Sequence, residues 1–285
     1  MRILILGGDG MLGHQLLKHF RKTHETQVTL RRPLADYAIY GLFDAAHAFD
    51  GVDVSDFDHI KQVMLNFRPE AIINAVGIVK QRAESAESIA SIEINSLLPH
   101  KLSLLCGEHG TRLIHMSTDC VFSGRCGNYA ESDTPDAEDI YGRSKLLGEV
   151  PEVPGITLRT SIIGHELSRK TGLLEWFLAQ KAPIKGFRNA IFSGFTTIEM
   201  SRIIERILLQ PTPLYGLYHV SSAPINKYDL LQLIRDKLGL QIEIIADDTF
   251  KCDRSLDSTR FRQSFIYTPP SWDAMIAELA KSKDK

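Results

Sequence analysis

The chain has 285 residues, 44% hydrophobic and 24% charged, with a formal net charge of −2. That balance excludes a binder of nucleic acid or anionic membrane resting on bulk charge, and the length allows one large domain or a main domain with a smaller lobe. The four cysteines, Cys106, Cys120, Cys126 and Cys252, show no C-x-x-C spacing. Neither a zinc site nor a redox dithiol is therefore expected, and the compartment reads as reducing. The apolar opening Met1–Leu6 runs into glycines too soon for a signal peptide, and no stretch is long enough to span a bilayer. The expected location is the cytoplasm, with no membrane and no nucleic acid as partner.

Arg2 to Leu6 has the pattern of a strand buried on both faces. Gly7-Gly8-Asp9-Gly10-Met11-Leu12-Gly13 follows, then a helical pattern with Leu12, Leu16, Leu17 and Phe20 on one face. Strand, glycine turn and helix form the context that a dinucleotide-binding motif requires. Glycines at 7, 10 and 13 let backbone N–H groups approach a pyrophosphate, and the helix start adds its positive dipole end. Val28-Thr29-Leu30 reads as a second strand ending in Arg31-Arg32. An acidic residue there would hold a ribose 2′-OH; two guanidiniums suit a 2′-phosphate. NADP(H) is therefore the preferred cofactor, with NAD(H) still open.

Asp53-Val54 is expected to close a short third strand, and a helix runs from Phe57 to Phe67 before Pro69. Ala71-Ile72-Ile73-Asn74-Ala75-Val76-Gly77 is a fourth strand with its exit, and Asn95 sits mid-helix. Thr111 to Met116 is a fifth strand that delivers Ser117-Thr118. Open α/β sheets bind ligands at the carboxyl ends of their strands, so this hydroxyl pair is well placed for chemistry. Gly155 to Ser161 is the sixth strand. Beyond it come a helix over Leu173–Ala182, an extended segment over Phe187–Ser193, and a periodic helix through Ile198, Ile203, Ile204, Ile207 and Leu208. Gly216 to Ser221 is a strand expected to rejoin the main sheet; a helix over Lys227–Leu238, a strand over Gln241–Ile245 and a helix after Pro270 complete the chain.

Tyr141 and Lys145 stand four apart, which puts them on one face of a helix. An ammonium beside a phenol favours the phenolate, so the tyrosine becomes a proton donor usable at neutral pH. His115, His165 and His219 have no metal-ligand spacing and read as structural; no metal is expected. Phe195 and Tyr218 are open to two roles, stacking on a nucleotide base or packing in the core.

The glycine spacing resembles that of extended short-chain dehydrogenases. Ser117-Thr118-Asp119-Cys120-Val121-Phe122-Ser123-Gly124, followed by Tyr141-Gly-Arg-Ser-Lys145-Leu-Leu-Gly-Glu149, resembles the dTDP-4-dehydrorhamnose reductase branch, and Gly216-Leu-Tyr-His219-Val-Ser is similar to it too. The resemblance implies a Rossmann-type doubly wound parallel α/β sheet with a smaller C-terminal α/β substrate lobe. Residues 1–163 and about 195–222 would form the NADP-binding domain, and about 164–194 and 223–285 the substrate lobe.

It also implies a nucleotide-sugar substrate for surface polysaccharides, reduced at a 4-keto group, and leaves a homodimer open. Tyr141 would protonate the sugar carbonyl oxygen, Lys145 would tune it and hold the nicotinamide ribose, and Thr118, or Ser117 in its place, would hydrogen-bond that oxygen. Gly7, Gly10, Met11, Leu12, Gly13, Arg31, Arg32, Asp53, Val54, Asn74, Ala75 and Val76 would line the cofactor, Asp53-Val54 at the adenine. Asn95 would steady the site. Ser117, Cys120, Val121, Phe122, Tyr141, Phe195 and Arg254 would meet the substrate. Cys120 stands where the family usually has tyrosine, and the segment around Arg254 lacks the family's Arg-Pro, which leaves Arg254 as the candidate for the diphosphate. Two other readings remain: an epimerase or dehydratase holding NAD, against which Arg31-Arg32 speaks, and a non-catalytic NADP-binding regulatory subunit, against which the intact Tyr141/Lys145 pair speaks.

Overall fold

The computed structural model describes residues 1–79, 88–168 and 170–282. Its contacts divide the chain into two compact units. Met1–Ser117, Asp139–Leu158 and Ser201–Leu217 form the first; Thr118–Glu138, Arg159–Met200 and Tyr218–Lys285 form the second. The segment Thr118–Glu138 thus joins the C-terminal unit, whereas the sequence reading kept it within residues 1–163.

In chain order the elements are β1 (Arg2–Leu6), α1 (Gly13–Phe20), β2 (Glu25–Thr29), a 3₁₀ turn (Leu34–Tyr40), β3 (Ala48–Phe49), α2 (Phe57–Phe67) and β4 (Ala71–Asn74). α3 (Ser88–Ser91), a π-helical turn (Ile92–Leu97) and α4 (Leu98–His109) then run on from one another. β5 (Arg112–Met116), a 3₁₀ turn (Asp119–Val121), α5 (Ile140–Leu147), β6 (Gly155–Arg159) and β7 (Ile162–Ile163) follow. The rest is α6 (Leu173–Leu178), β8 (Ile184–Phe192), β9 (Phe195–Thr196), α7 (Thr197–Leu208), β10 (Gly216–His219), β11 (Ile225–Asn226), α8 (Lys227–Leu238), β12 (Ile244–Asp253), α9 (Thr259–Phe265) and α10 (Trp272–Lys281).

The main sheet has the order β10-β6-β5-β4-β1-β2-β3. From β6 to β3 every pairing is parallel. Read from the other edge it is the Rossmann order 3-2-1-4-5-6 with β10 added, so the topological switch point lies between β1 and β4. Ile3 to Leu6 are completely buried, as a central parallel strand covered on both faces must be. One face packs Leu4, Leu6, Ile72 and Leu113 against Ile60, Met64, Leu102 and Cys106. α2 supplies its share through the helical spacing of Ile60, Val63, Met64 and Phe67. Asp56 caps that helix by accepting from the Asp58 N–H, and Arg68 ends it in a left-handed conformation before Pro69. The second unit holds the three-stranded sheet β11-β8-β12 and the small β7-β9 pair.

Two expectations need correction. The third strand is Ala48–Phe49, and Asp53-Val54 lie in the turn beyond it. Asp53 accepts from the Ser55 N–H at 3.0 Å and the Ser55 hydroxyl at 2.7 Å, a local bond that competes with the strand ladder. The strand foreseen over Gln241–Ile245 runs instead over Ile244–Asp253, paired in parallel with β8, and α9 after it was not foreseen. Asn95, in the π-helical turn, is completely buried.

Asn95 fixes the place of α5. Its Oδ1 accepts from the Ile78 N–H at 2.9 Å, and its Nδ2 donates to the Ile78 carbonyl and the Ser144 hydroxyl, each at 3.1 Å. Ser96 donates to the Ser144 carbonyl at 2.8 Å, and His100 to the Leu147 carbonyl at 2.7 Å. A Cβ on Gly148 would run into the Asn95 carbonyl oxygen and come within 3.1 Å of Ser96 Cα. Backbone meets backbone there, so neither side has a flexible end to move. Gly148→Ala is expected to cost about 1–3 kcal/mol, the range of core overpacking, seen as a lower urea midpoint with an unchanged slope. Gly107→Ala, whose Cβ would meet nothing nearer than Pro154 at 3.8 Å, is the control and should not destabilise.

Candidate active site

The glycine turn sits at the carboxyl end of β1. Gly7 has φ +86°, a conformation that L side chains rarely adopt, and a Cβ there would lie 3.0 Å from Val76. A Cβ on Gly8 would strike Val28 at 2.5 Å, and one on Gly13 the Gly7 carbonyl oxygen. The turn is held by Gly7 N–H to Thr29 Oγ1 at 3.1 Å, Gly8 N–H to the Thr29 carbonyl at 2.9 Å and Gly10 N–H to the Gly7 carbonyl at 3.1 Å. α1 then starts at Gly13 with no side-chain cap from Leu12. A tight glycine cradle opening on a helix start uncapped by a side chain suits the pyrophosphate of a dinucleotide. These residues fit NADP(H) or NAD(H). Across the switch point, Asn74 accepts from the Val76 N–H at 3.2 Å, and the Ala75 backbone packs against Gly7.

The two arginines after β2 reach solvent and already have partners. Arg31 is 75% exposed and pairs with Asp53 at 3.4 Å; Arg32 is 55% exposed and pairs with Asp36 at 4.0 Å. The Arg32 guanidinium lies 5.2 Å from the centre of the Tyr37 ring. The Tyr37 hydroxyl donates to Asp9 in the glycine turn at 3.3 Å.

α5 carries the tyrosine and the lysine. Asp139 caps it, accepting from the Gly142 N–H at 2.8 Å. Tyr141 stands in its first turn and is half-buried; Lys145 is only 4% exposed. The Lys145 ammonium donates to the Met116 carbonyl, at the end of β5, at 2.6 Å. Burial lowers its pKa to about 8, with Glu149 pulling the other way. Beside it His115 is fully buried, which holds its pKa well below the ordinary value, and the Lys145 charge pushes it further down. Asn74 Nδ2 donates to His115 Nδ1 at 3.1 Å, so the imidazole proton sits on Nε2.

The adjacent hydroxyls differ. Ser117, in the first unit, donates to Glu149 Oε1 at 2.7 Å. Thr118, in the second, accepts from the Cys120 N–H at 3.1 Å and donates to Asp119 Oδ1 at 3.2 Å. Burial raises the Asp119 carboxyl and, with the Asp119 charge added, pushes the Cys120 thiol up to about 12. Val121 is buried, and the Phe122 ring stacks on Tyr129 at 4.1 Å and 7°. Arg254 donates through Nε to the Phe122 carbonyl at 2.8 Å and through Nη2 to the Ser123 carbonyl at 3.3 Å, which engages part of its fork on backbone. Phe195 is fully buried with its ring edge-on to Tyr267, so of its two readings the structure takes core packing, and Tyr218 packs likewise against Phe261 and Phe265. His219 donates through Nδ1 to the Tyr129 carbonyl at 2.9 Å and accepts at Nε2 from Arg159 at 3.2 Å. Among the described residues no group of three acidic, histidine or cysteine side chains could hold a metal, and no helix is long and apolar enough to cross a membrane.

Sequence reasoning missed the contributions of Glu149, Asp9 and Tyr37. Glu149 stands four residues after Lys145, and that spacing is the signal that could have found it.

The buried ammonium has a thermodynamic consequence. Its folded-state pKa of about 8 lies below the ordinary lysine value of 10.5, so the unfolded chain binds more protons between those pH values. Stability therefore rises with pH across that window. Relative to Lys145→Met, the wild type should gain on the order of 3 kcal/mol from pH 7 to pH 10.5 in paired urea titrations. An unchanged difference would show that Lys145 is not desolvated.

A model of the RmlD substrate-binding domain matches residues 1–163. The chain is 25% identical to a dTDP-4-dehydrorhamnose reductase of Aggregatibacter actinomycetemcomitans, with 98% of each chain covered. It is 28% identical to methionine adenosyltransferase 2 subunit beta of Danio rerio, over 84% of this chain and 74% of that one. A crystal structure of dTDP-4-dehydrorhamnose reductase from Bacillus anthracis, in complex with NADP, superposes with a TM-score of 0.79 at 21% identity over 99% of both chains. The glycine cradle at the switch point and the Tyr141/Lys145 helix fall within the matched residues, and the chain belongs to the RmlD substrate-binding domain family.

Proposed function

We propose that this chain is an NADPH-dependent reductase of the 4-keto group of a nucleotide-linked 6-deoxyhexose, with NADH as a weaker alternative, acting in surface polysaccharide synthesis. The observation that carries the reading is Lys145, a buried ammonium held by the Met116 carbonyl on the helix that bears Tyr141. Such a charge has little structural use and a clear chemical one. Support comes from a relative named dTDP-4-dehydrorhamnose reductase that aligns over nearly the whole chain and from a neighbour solved with NADP.

A bound nicotinamide would supply hydride to the carbonyl carbon. Tyr141 gives its phenolic proton to the carbonyl oxygen, so the product is an alcohol and the tyrosine is left as phenolate. Lys145 stabilises that phenolate, which lowers the barrier to proton loss. Thr118 is the hydroxyl assigned to hydrogen-bond a substrate carbonyl oxygen, once it turns from Asp119. Ser117 is committed to Glu149 and holds that carboxylate in place. The first unit takes the dinucleotide on Gly7, Gly10, Met11, Leu12 and Gly13, with Asp53, Val54, Asn74, Ala75 and Val76 around it. The second unit takes the sugar nucleotide, with Cys120, Val121, Phe122 and Arg254 as its contacts. Among the substrate candidates, Phe195 is left with a supporting role in the core, against Tyr267. The expected setting is the cytoplasm, and exposed Leu97, Leu104 and Leu147 suit a homodimer contact.

The similarity to methionine adenosyltransferase 2 subunit beta favours one other reading, a regulatory subunit that binds NADP without turnover. Turnover separates the two. With dTDP-4-keto-6-deoxyhexoses as probes, the wild type should consume NADPH and form the alcohol. Tyr141→Phe should lose about 10²–10⁴-fold in kcat, the usual scale of general acid catalysis, with NADPH binding retained. Thr118→Val should lose more than Ser117→Ala. No NADPH consumption by the wild type, with NADPH still bound, would favour the regulatory reading.

A further inference from the structure

Asp9 is a carboxylate inside the glycine turn, one residue before Gly10. Its position is set by Tyr37, only 2% exposed, whose hydroxyl donates to Asp9 at 3.3 Å. The same hydroxyl accepts from the Arg32 N–H at 3.4 Å. One buried phenol therefore ties the glycine turn to the segment after β2. The turn is also bound to the end of β2 through Gly7 and Gly8 onto Thr29. In this fold the end of the second strand faces the adenosine ribose.

The local charges do not favour a 2′-phosphate as the Arg31-Arg32 pair alone suggests. Arg31 pairs with Asp53 and Arg32 with Asp36, and the Asp9 charge also acts on Arg32. The partners also differ in freedom. Arg31 and Arg32 are long, more than half exposed, and their ion pairs are of the kind worth little in water, so they can turn to a phosphate. Asp9 is short and pinned from a buried side. A ribose 2′-OH can donate a hydrogen bond to it, whereas a 2′-phosphate brings about −1.5 to −2 charge and no donor of comparable strength.

We propose that Asp9, held by Tyr37, is the specificity-determining residue at the cofactor's 2′ position. It opposes the 2′-phosphate that Arg31 and Arg32 attract, and it keeps the preference for NADPH over NADH small. The inference rests on the dinucleotide-binding reading above and deepens it.

Dissociation constants for NADPH and NADH, measured by calorimetry without substrate on the wild type, Asp9→Asn and Tyr37→Phe, test it. Asp9→Asn should bind NADPH about tenfold more tightly, the scale of one like-charge contact near a surface, and NADH more weakly. Tyr37→Phe keeps the ring under Arg32 and removes the phenol's hydrogen bond to Asp9, so it should move the ratio the same way by less. If Asp9→Asn fails to fold, Tyr37→Phe alone decides the matter: a shifted ratio supports the role, and an unshifted one overturns it. A folded Asp9→Asn that leaves the ratio as in the wild type, or changes both constants equally, overturns the inference and leaves the dinucleotide reading standing. Binding of neither nucleotide by the wild type overturns both.

Discussion

A lysine ammonium held out of water is the constraint around which the first unit is arranged. Removing a charge from water costs several kcal/mol unless hydrogen bonds and opposite charge replace the lost hydration. Lys145 receives one short bond, to the Met116 carbonyl, and the field of Glu149 one turn further along the chain. That bond has the right length only if α5 lies at one height over the end of β5. The polar contacts of Asn95, Ser96 and His100 onto α5, with Gly148 pressed on Asn95, set that height. The π-turn is part of the same device, because an inserted residue re-aims side chains, and here it brings Asn95 onto both Ile78 and Ser144.

The glycine turn shows the complementary principle, in which space is kept by leaving side chains out. Gly7, Gly8 and Gly13 each lie where a Cβ would strike the neighbouring strand or the turn itself. Close packing of α1 on β1 and an open approach to the helix start are thus one requirement, met by the same residues. The strand order puts this turn beside the Asn74-Ala75-Val76 exit of β4, where an α/β sheet binds its ligand.

The parts legible in the sequence were those whose signal is local. Strand, glycine turn and helix follow within twenty residues, and Tyr141 and Lys145 share a helix face by spacing alone. α8 was legible to the residue, because Asn226 caps it and Gly239 ends it with φ +64°. What was not legible depends on partners far along the chain. Asn95 reads as a poor helix former until Ile78 and Ser144 surround it. Phe195 reads as equally suited to base and core until Tyr267 covers its edge. Arg254 reads as an anion ligand, and nothing in the sequence shows that the carbonyls of Phe122 and Ser123, some 130 positions earlier, take two of its donors. Asp53 misled for a local reason: its bonds to Ser55 end the extended run that its neighbours suggest.

The same logic separates the two hydroxyls that sequence left paired. Ser117 and Thr118 are adjacent, both buried, both at the exit of β5. Their difference is which carboxylate each meets. Ser117 donates to Glu149 on the stretch that continues α5, at 2.7 Å, so its proton and its rotamer are fixed. Glu149 in turn raises the Lys145 pKa against the lowering by burial. One carboxylate therefore acts on the lysine charge and holds the Ser117 proton. Thr118 donates at 3.2 Å to Asp119, whose carboxyl is pushed toward its neutral form by burial. The longer bond is the weaker of the two, so this proton is the more easily redirected. Ser117 and Thr118, alike in sequence, thus differ in how firmly a neighbouring carboxylate holds each proton.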